Sequence, residues 1–238
     1  MLELLNNVTH QNLRIVTRHG AQWGDNHMSC PVTPDEFRSL QAHYPIVFQE
    51  DGQGGALPVA LFGLEQGENL FVDVAGQGET WDADYIPLSM LRMPFSIGVD
   101  RETDEMRVMV DMASPRISAG PDGEAVFLPQ GGTTDYIEQV NAVLRALHEG
   151  LQSVPEFVGA LVQHNLLESF VLTVERPDGS QGQLHGFSMI NEERLAALDA
   201  GAIALLHQAD YLQPIYMAIA SLSNIAPLIR KHLAREAA

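Results

Sequence analysis

The chain has 238 residues, 45% of them hydrophobic, and carries 31 acidic side chains against 13 basic ones, a formal charge of −18. That length and apolar content suffice to bury a full core, as one domain or as two small lobes, which argues against wholesale disorder. The acidic excess repels phosphate backbones and anionic lipid, so no nucleic acid and no membrane insertion is expected, and the surface reads as soluble and self-repelling.

Cys30 is the only cysteine, so no intrachain disulfide forms and nothing calls for an oxidising compartment. Residues 1–7 lack the basic and apolar regions of a secretory signal, and a cytoplasmic location is the expectation. The stretch from Leu212 to Ile229 is apolar but interrupted by Gln213, Pro214, Ser221, Ser223, Asn224 and Pro227, and reads as a packed helical pair instead of a membrane span.

In chain order, a strand is expected at Leu13-Arg14-Ile15-Val16, then a helix from Thr33 through Phe37 and Leu40. Thr33-Pro34-Asp35-Glu36 places a Thr at the N-cap, Pro at the first helical position and Glu three residues on, a capping box. Strands follow at 45–49, 57–64 and 69–74, joined by turns short enough for an antiparallel meander. Residues 85–93 read as a short helix or an irregular crossing bracketed by Pro87 and Pro94, strands at 95–99 and 106–111 pair across a polar turn, and 125–128 adds a short edge.

Beyond Gly131-Gly132 the pattern becomes helical. Ile137, Val140, Val143, Leu144, Leu147 and Leu151 mark one buried face, and Ser153-Val154-Pro155-Glu156 reads as the cap of a second helix through Phe157 and Leu161, giving an antiparallel pair. Residues 170–175 and 183–190 flank Pro177-Asp178-Gly179 as a hairpin. Asn191 caps a helix begun by Glu192 and Glu193, residues 211–222 form another, and Arg230, Lys231 and Arg235 sit at the negative end of the last. The fold class is therefore α+β: an antiparallel β-sheet core in the N-terminal half packed with a mainly helical C-terminal half carrying one β-hairpin. Its expected organisation is a mainly β lobe over 1–130 with one short helix and a mainly α lobe over 131–238 with the hairpin at about 168–190, forming one compact unit.

No phosphate-cradling loop, Walker lysine or Gly-x-Ser-x-Gly elbow is present, and no cofactor is predicted. None of the nine histidines forms a zinc-helix pair, and isolated histidines such as His19, His27 and His43 are more often hydrogen-bonded structural residues than ligands, so no metal is predicted. Cys30 reads as a small buried hydrophobe. Glu65, Glu68, Asp73, Asp82 and Asp84 fit either solvated turns or an acid/base pair. More telling are Tyr44, Asn69, Asp73, Trp81, Tyr85 and Arg92, able to hydrogen-bond, stack or grip a carboxylate from among sheet-forming segments. They form either a ligand site or a buried polar brace in which Arg92 neutralises Asp73 or Asp84.

The order and spacing of several short motifs resemble the SapC family of bacterial proteins, named after a protein from a surface-layer locus. The motifs are Tyr44-Pro45-Ile46-Val47-Phe48, Pro58-Val59-Ala60-Leu61-Phe62-Gly63, Glu68-Asn69-Leu70-Phe71, Trp81, Tyr85-Ile86-Pro87, Arg92 and Pro94-Phe95. Tyr136-Ile137-Glu138, Leu166-Leu167-Glu168, Gly186-Phe187 and Ile215-Tyr216 follow. Where the family pattern has paired arginines and an aromatic before Pro-Phe, this chain has Leu91-Arg92-Met93, so Arg92 grips any anion alone. The resemblance implies an accessory or binding protein linked to cell-envelope, surface-layer or nutrient and peptide-uptake systems. It implies as partners a small molecule or peptide and, from the setting of family members, a flavin-dependent halogenase or an uptake-system protein. The residues by themselves leave three readings open: a binding protein holding a small anionic or aromatic ligand or a peptide, an enzyme modifying an amino acid or peptide through a distributed metal or carboxylate site, and a structural partner in a complex.

Overall fold

The structure, a computed structural model, describes residues 1–50, 55–72, 80–99, 105–176 and 179–237. It is an α+β fold built of antiparallel sheets and several helices. The chain divides into two units that interleave in sequence. The first takes residues Met1–Asn26, Phe71–Asp82 and Leu88–Glu149, and the second His27–Leu70, Ala83–Pro87 and Gly150–Ala238.

In the first unit, β1 (Leu2–Leu4) and β2 (Arg14–Ile15) belong to different small sheets. In the second unit, β3 (Ser29–Pro31), α1 (Phe37–Leu40), β4 (Ile46–Glu50) and β5 (Ala56–Leu61) follow. The chain then supplies the first unit with α2 (Leu88–Leu91), β6 (Phe95–Val99), β7 (Met106–Asp111) and β8 (Glu124–Ala125). The first unit's sheets are β1-β7-β6 and β2-β8, both antiparallel. Leu13, Ile15, Phe95, Val110, Val126, Ile137, Val140 and Leu144 make its core.

The helix α3 (Asp135–Gln163) gives the first unit its residues up to Glu149 and the second those from Gly150. Two helices were expected here, and the structure has one continuous helix of 29 residues with Pro155 inside it. The reason is phase: Ile137, Val140, Leu144, Leu147, Val154, Val158 and Leu161 are all buried and keep spacings of three, four and seven across the proline. A proline in a helix interior costs about 3 kcal/mol. Burying each large side chain of that stripe returns about 1.5–3 kcal/mol, so the stripe wins. Ser153 Oγ donates to the Gly150 carbonyl at 2.8 Å, so the predicted cap residue serves as a bond within the helix.

The hairpin of β9 (Leu167–Glu175) and β10 (Gln181–Ile190) joins the N-terminal strands in one five-stranded antiparallel sheet, ordered β3-β5-β4-β10-β9. Its link to β4 runs through Phe187 opposite Gln49 and Ser188 opposite Phe48. Of the third meander strand expected at 69–74, residues 69–72 form a turn and a single bridge of Val72 with Trp81, and 73–79 lie outside the described residues. The place beside β5 is taken by β3, whose three residues carry too short a pattern to read and whose Pro31 is tolerated at a sheet edge.

The remaining helices are α4 (Glu192–Ala196), α5 (Ala200–Gln208), α6 (Leu212–Ser221) and α7 (Ile225–Glu236). Asn191 caps α4 by accepting from Arg194 N–H, as expected. The stretch Leu212–Glu236 is long and apolar enough to cross a membrane by length and composition. Here it is tied into the second unit by Ser221 Oγ, which accepts from Ile46 N–H at 2.9 Å, and by Asn224, which donates to the Gln41 carbonyl at 2.8 Å. Phe157 anchors that unit's core, edge-on to Phe37 and Tyr211 at 6.0 and 5.3 Å.

Candidate functional site

The first unit holds a cleft of about 520 Å³. One wall is the chain leaving β2 (Val16, Thr17, His19), a second is α2 and the residue after it (Met90, Leu91, Met93), and a third is the first three turns of α3 (Asp135, Tyr136, Gln139, Val140, Val143). Arg116 and Glu124 complete it. Apolar side chains dominate the α2 wall, while polar groups converge from the other walls, the composition typical of ligand pockets.

Beside the cleft lies a buried polar network. A 3-10 turn at Ala21–Trp23 ends in Gly24 at φ +87°, a left-handed conformation that glycine adopts without strain, and this reversal turns Asp25 back toward residue 20. One Asp25 carboxylate oxygen accepts from Gly20 N–H at 2.9 Å and faces His19 Nδ1 at 3.1 Å, and the other accepts from Arg116 Nη2 at 2.6 Å. Arg116 pairs its backbone with Val16 beyond β2, so its guanidinium also donates to the Val16 and Arg18 carbonyls at 3.0 and 2.9 Å. Asp25 is completely buried and Arg116 is 3% exposed. Burial works against the Asp25 charge, but the His19 bond, the Arg116 charge and the Gly20 N–H together outweigh it and hold the carboxyl below its ordinary value.

An ionised Asp25 makes His19 Nδ1 the protonated nitrogen, so that in the neutral ring Nε2 is the acceptor, and Nε2 has no hydrogen bond among the described residues. Trp81 meets the His19 ring edge-on at 5.5 Å and helps fix its plane. Two buried donors here, Arg116 Nε and Trp23 Nε1, have no acceptor among the described residues. In the cleft wall, Tyr136 is pushed up to about 12, by burial first and by Glu124, with Arg116 opposing, so it stays a neutral hydroxyl. The arrangement offers an imidazole, a phenol and an amide beside a thioether-lined wall, and the rim carries two carboxylates, Glu124 and Asp135.

The residues singled out from the sequence are distributed as follows. Trp81 and Arg92 belong to the first unit, Trp81 against His19 and Arg92 donating to the Phe95 carbonyl at 2.7 Å. Tyr44, Asn69 and Tyr85 belong to the second. There Tyr44 Oη donates to the Tyr85 carbonyl at 2.5 Å and Tyr85 Oη to the buried Glu36 carboxylate at 3.0 Å. Glu36 also accepts from Thr33 N–H at 3.2 Å, the reciprocal half of the expected capping box. Asn69 is 2% exposed and its carbonyl accepts from Arg235 at 2.9 Å. Asp73 lies outside the described residues. Sequence reasoning missed Asp25, Arg116 and Tyr136 as site residues. Asp25 and Arg116 stand 91 positions apart in irregular segments, and only the scarcity of basic residues hinted that a lone arginine between Ser114-Pro115 and Ile117 is held by something.

The family model described as SapC matches residues 5–228. No curated protein and no solved structure matches the chain.

Proposed function

From the premise that this chain belongs to the SapC family, we propose that it is a cytoplasmic accessory protein of cell-envelope or nutrient and peptide-uptake systems that holds a small ligand or a peptide side chain in the first unit's cleft. The observation that carries this reading is the cleft itself, with a volume in the range of small-molecule pockets, Met90, Leu91 and Met93 on one side and His19, Tyr136 and Gln139 on the others. Methionine thioethers favour aromatic faces. The Arg116 charge is already spent on Asp25, and Glu124 and Asp135 on the rim repel anions, so an aromatic ligand fits better than an anionic one. Presenting such a group to a halogenase or an uptake protein is the role we assign it.

The test is a thermal-shift screen with aromatic amino acids, short aromatic peptides, 2-oxo acids and flavins on the intact chain and on Tyr136→Ala and Val143→Trp, the second of which fills the cleft. A ligand at a hundred times its dissociation constant adds about 2.7 kcal/mol of stability. The reading expects an aromatic class to shift the wild type and neither variant, and it is overturned by a shift that both variants retain.

A second reading, an enzyme acting on an amino acid or peptide, is favoured by the Asp25–His19 pair, since a carboxylate that fixes Nδ1–H presents Nε2 as a general base. Mass change in a bound ligand after incubation, lost in His19→Gln, separates turnover from holding.

A further inference from the structure

We propose that the second unit carries a divalent transition-metal site formed by Glu65, His232 and Glu236, independent of the cleft. The three come from the loop after β5 and from α7, where His232 and Glu236 stand one turn apart. One ligand atom from each lies within 4.8 Å of the other two. At bond lengths of about 2.0–2.2 Å, tetrahedral ligands lie about 3.3–3.6 Å apart, so the carboxylates must swing inward by roughly 1 Å to close on a metal. Glu65, 54% exposed, and Glu236, 31% exposed, are not walled in, and only their bonds to Arg176 oppose that movement.

The observation that separates this cluster from a patch of surface acids is His232. It is 3% exposed, and its Nδ1 lies 2.9 and 3.1 Å from the two carboxylate oxygens of Glu68. Glu68 is itself fixed by the Leu64 N–H at 2.8 Å. A carboxylate on Nδ1 sets the tautomer that leaves the Nε2 lone pair for a metal, the outer-shell arrangement that metal-ligating histidines use. Nε2 makes no hydrogen bond among the described residues and points toward Glu236, 3.7 Å away, too long for one.

Arg176 bridges the outer sides of the site, donating from Nε to Glu236 at 2.7 Å and from Nη2 to Glu65. Glu65 and Glu236 thus share one guanidinium while Glu68 sits on His232, and the excess negative charge favours a further cation. Because one imidazole stands with two carboxylates, the chemistry suits Zn²⁺ or Mn²⁺ over Ca²⁺ or Mg²⁺, which prefer all-oxygen sets. Arg176 holds the carboxylates in place and competes for them, so it sets the affinity.

The experiment is equilibrium dialysis of the untagged, chelator-stripped full chain against Zn²⁺, Mn²⁺ and Ca²⁺, with metal content measured by atomic emission. About one equivalent of Zn²⁺ or Mn²⁺ is expected. His232→Ala and Glu65→Gln should each weaken binding at least tenfold, Glu68→Gln should weaken it less, and Arg176→Gln should tighten it. His207→Ala, on the separate helix α5, serves as the control for surface binding and should change nothing. Glu65 is exposed, so Glu65→Gln keeps the test decisive should His232→Ala fail to fold. Binding that Glu65→Gln retains in full, or no binding in wild type and Arg176→Gln alike, overturns the assignment.

Discussion

Replacing Arg116 by methionine tests whether the buried ion pair beside the cleft holds the first unit together. The substitution deletes three donations, to Asp25 at 2.6 Å and to the Val16 and Arg18 carbonyls at 3.0 and 2.9 Å. Methionine keeps most of the stem's packing, so the loss is electrostatic more than steric. Asp25 is left completely buried beside the Gly20 N–H and His19 but without the Arg116 charge. Breaking a buried pair by removing one partner costs about 3–5 kcal/mol. For a chain of this length that is roughly 6–20 °C in Tm, at about 2–4 °C per kcal/mol. Arg116→Met with Asp25→Asn removes both charges and should be more stable than Arg116→Met alone. The pH dependence follows from the depressed Asp25 carboxyl. Its contribution is fully present above the unfolded value near 3.8 and is lost as pH falls through the lower folded value. Asp25→Asn should therefore flatten the acid limb of the stability profile below about pH 4. Both tryptophans, Trp23 and Trp81, lie in the first unit, so fluorescence-monitored urea unfolding reports on that unit selectively. A loss under about 1 kcal/mol in Arg116→Met, with an unchanged acid limb in Asp25→Asn, would refute the reasoning, because a pair worth so little behaves like a solvated one.

Two glycines of α3 should respond with opposite signs to the same substitution. At Gly150 an added Cβ would lie 2.7–2.8 Å from the Thr33 side chain, so Gly150→Ala should destabilise by about 1–3 kcal/mol, whereas Gly159 has nothing within 4 Å and Gly159→Ala should stabilise by about 0.5–1 kcal/mol. Urea midpoints check both, and equal shifts would contradict the close approach at Thr33. Tyr85→Phe removes the hydroxyl that donates to buried Glu36 at 3.0 Å and should cost about 1.5–3 kcal/mol, the range for hydrogen bonds to charged acceptors. Burial first, then Glu36, pushes the Tyr85 hydroxyl above its ordinary value, so this loss should stay constant from pH 6 to 9 in thermal melts.

What was legible in the sequence is what local chemistry dictates. The capping box at Thr33, the Asn191 cap and the paired strands at 95–99 and 106–111 all rest on residues within a few positions of one another. Pro155 misled for the same reason. Locally it ends a helix, and only the burial of Phe157 against Phe37 and Phe48 shows why the helix continues. That β10 lies beside β4 is set by Phe187 and Ser188 meeting Gln49 and Phe48, partners separated by more than half the chain, and no alternation within either strand encodes it.

The candidate sites were illegible for a stricter reason. Glu68 reads from the sequence as a solvated turn residue or an acid/base partner and Glu36 as a local cap, yet Asp25, Glu36 and Glu68 are each drawn inward by partners 91, 49 and 164 positions away. Two of the three face a histidine Nδ1, Asp25 at His19 and Glu68 at His232. A carboxylate on Nδ1 fixes the other nitrogen as an acceptor, and in both places Nε2 has no hydrogen bond among the described residues. The two imidazoles diverge in what surrounds that nitrogen. His19 opens on a cleft walled by Met90, Leu91 and Met93, which suits an organic group, and His232 points at carboxylates, which suit a cation. One local device thus prepares two different chemistries, and the neighbours of Nε2 decide between them.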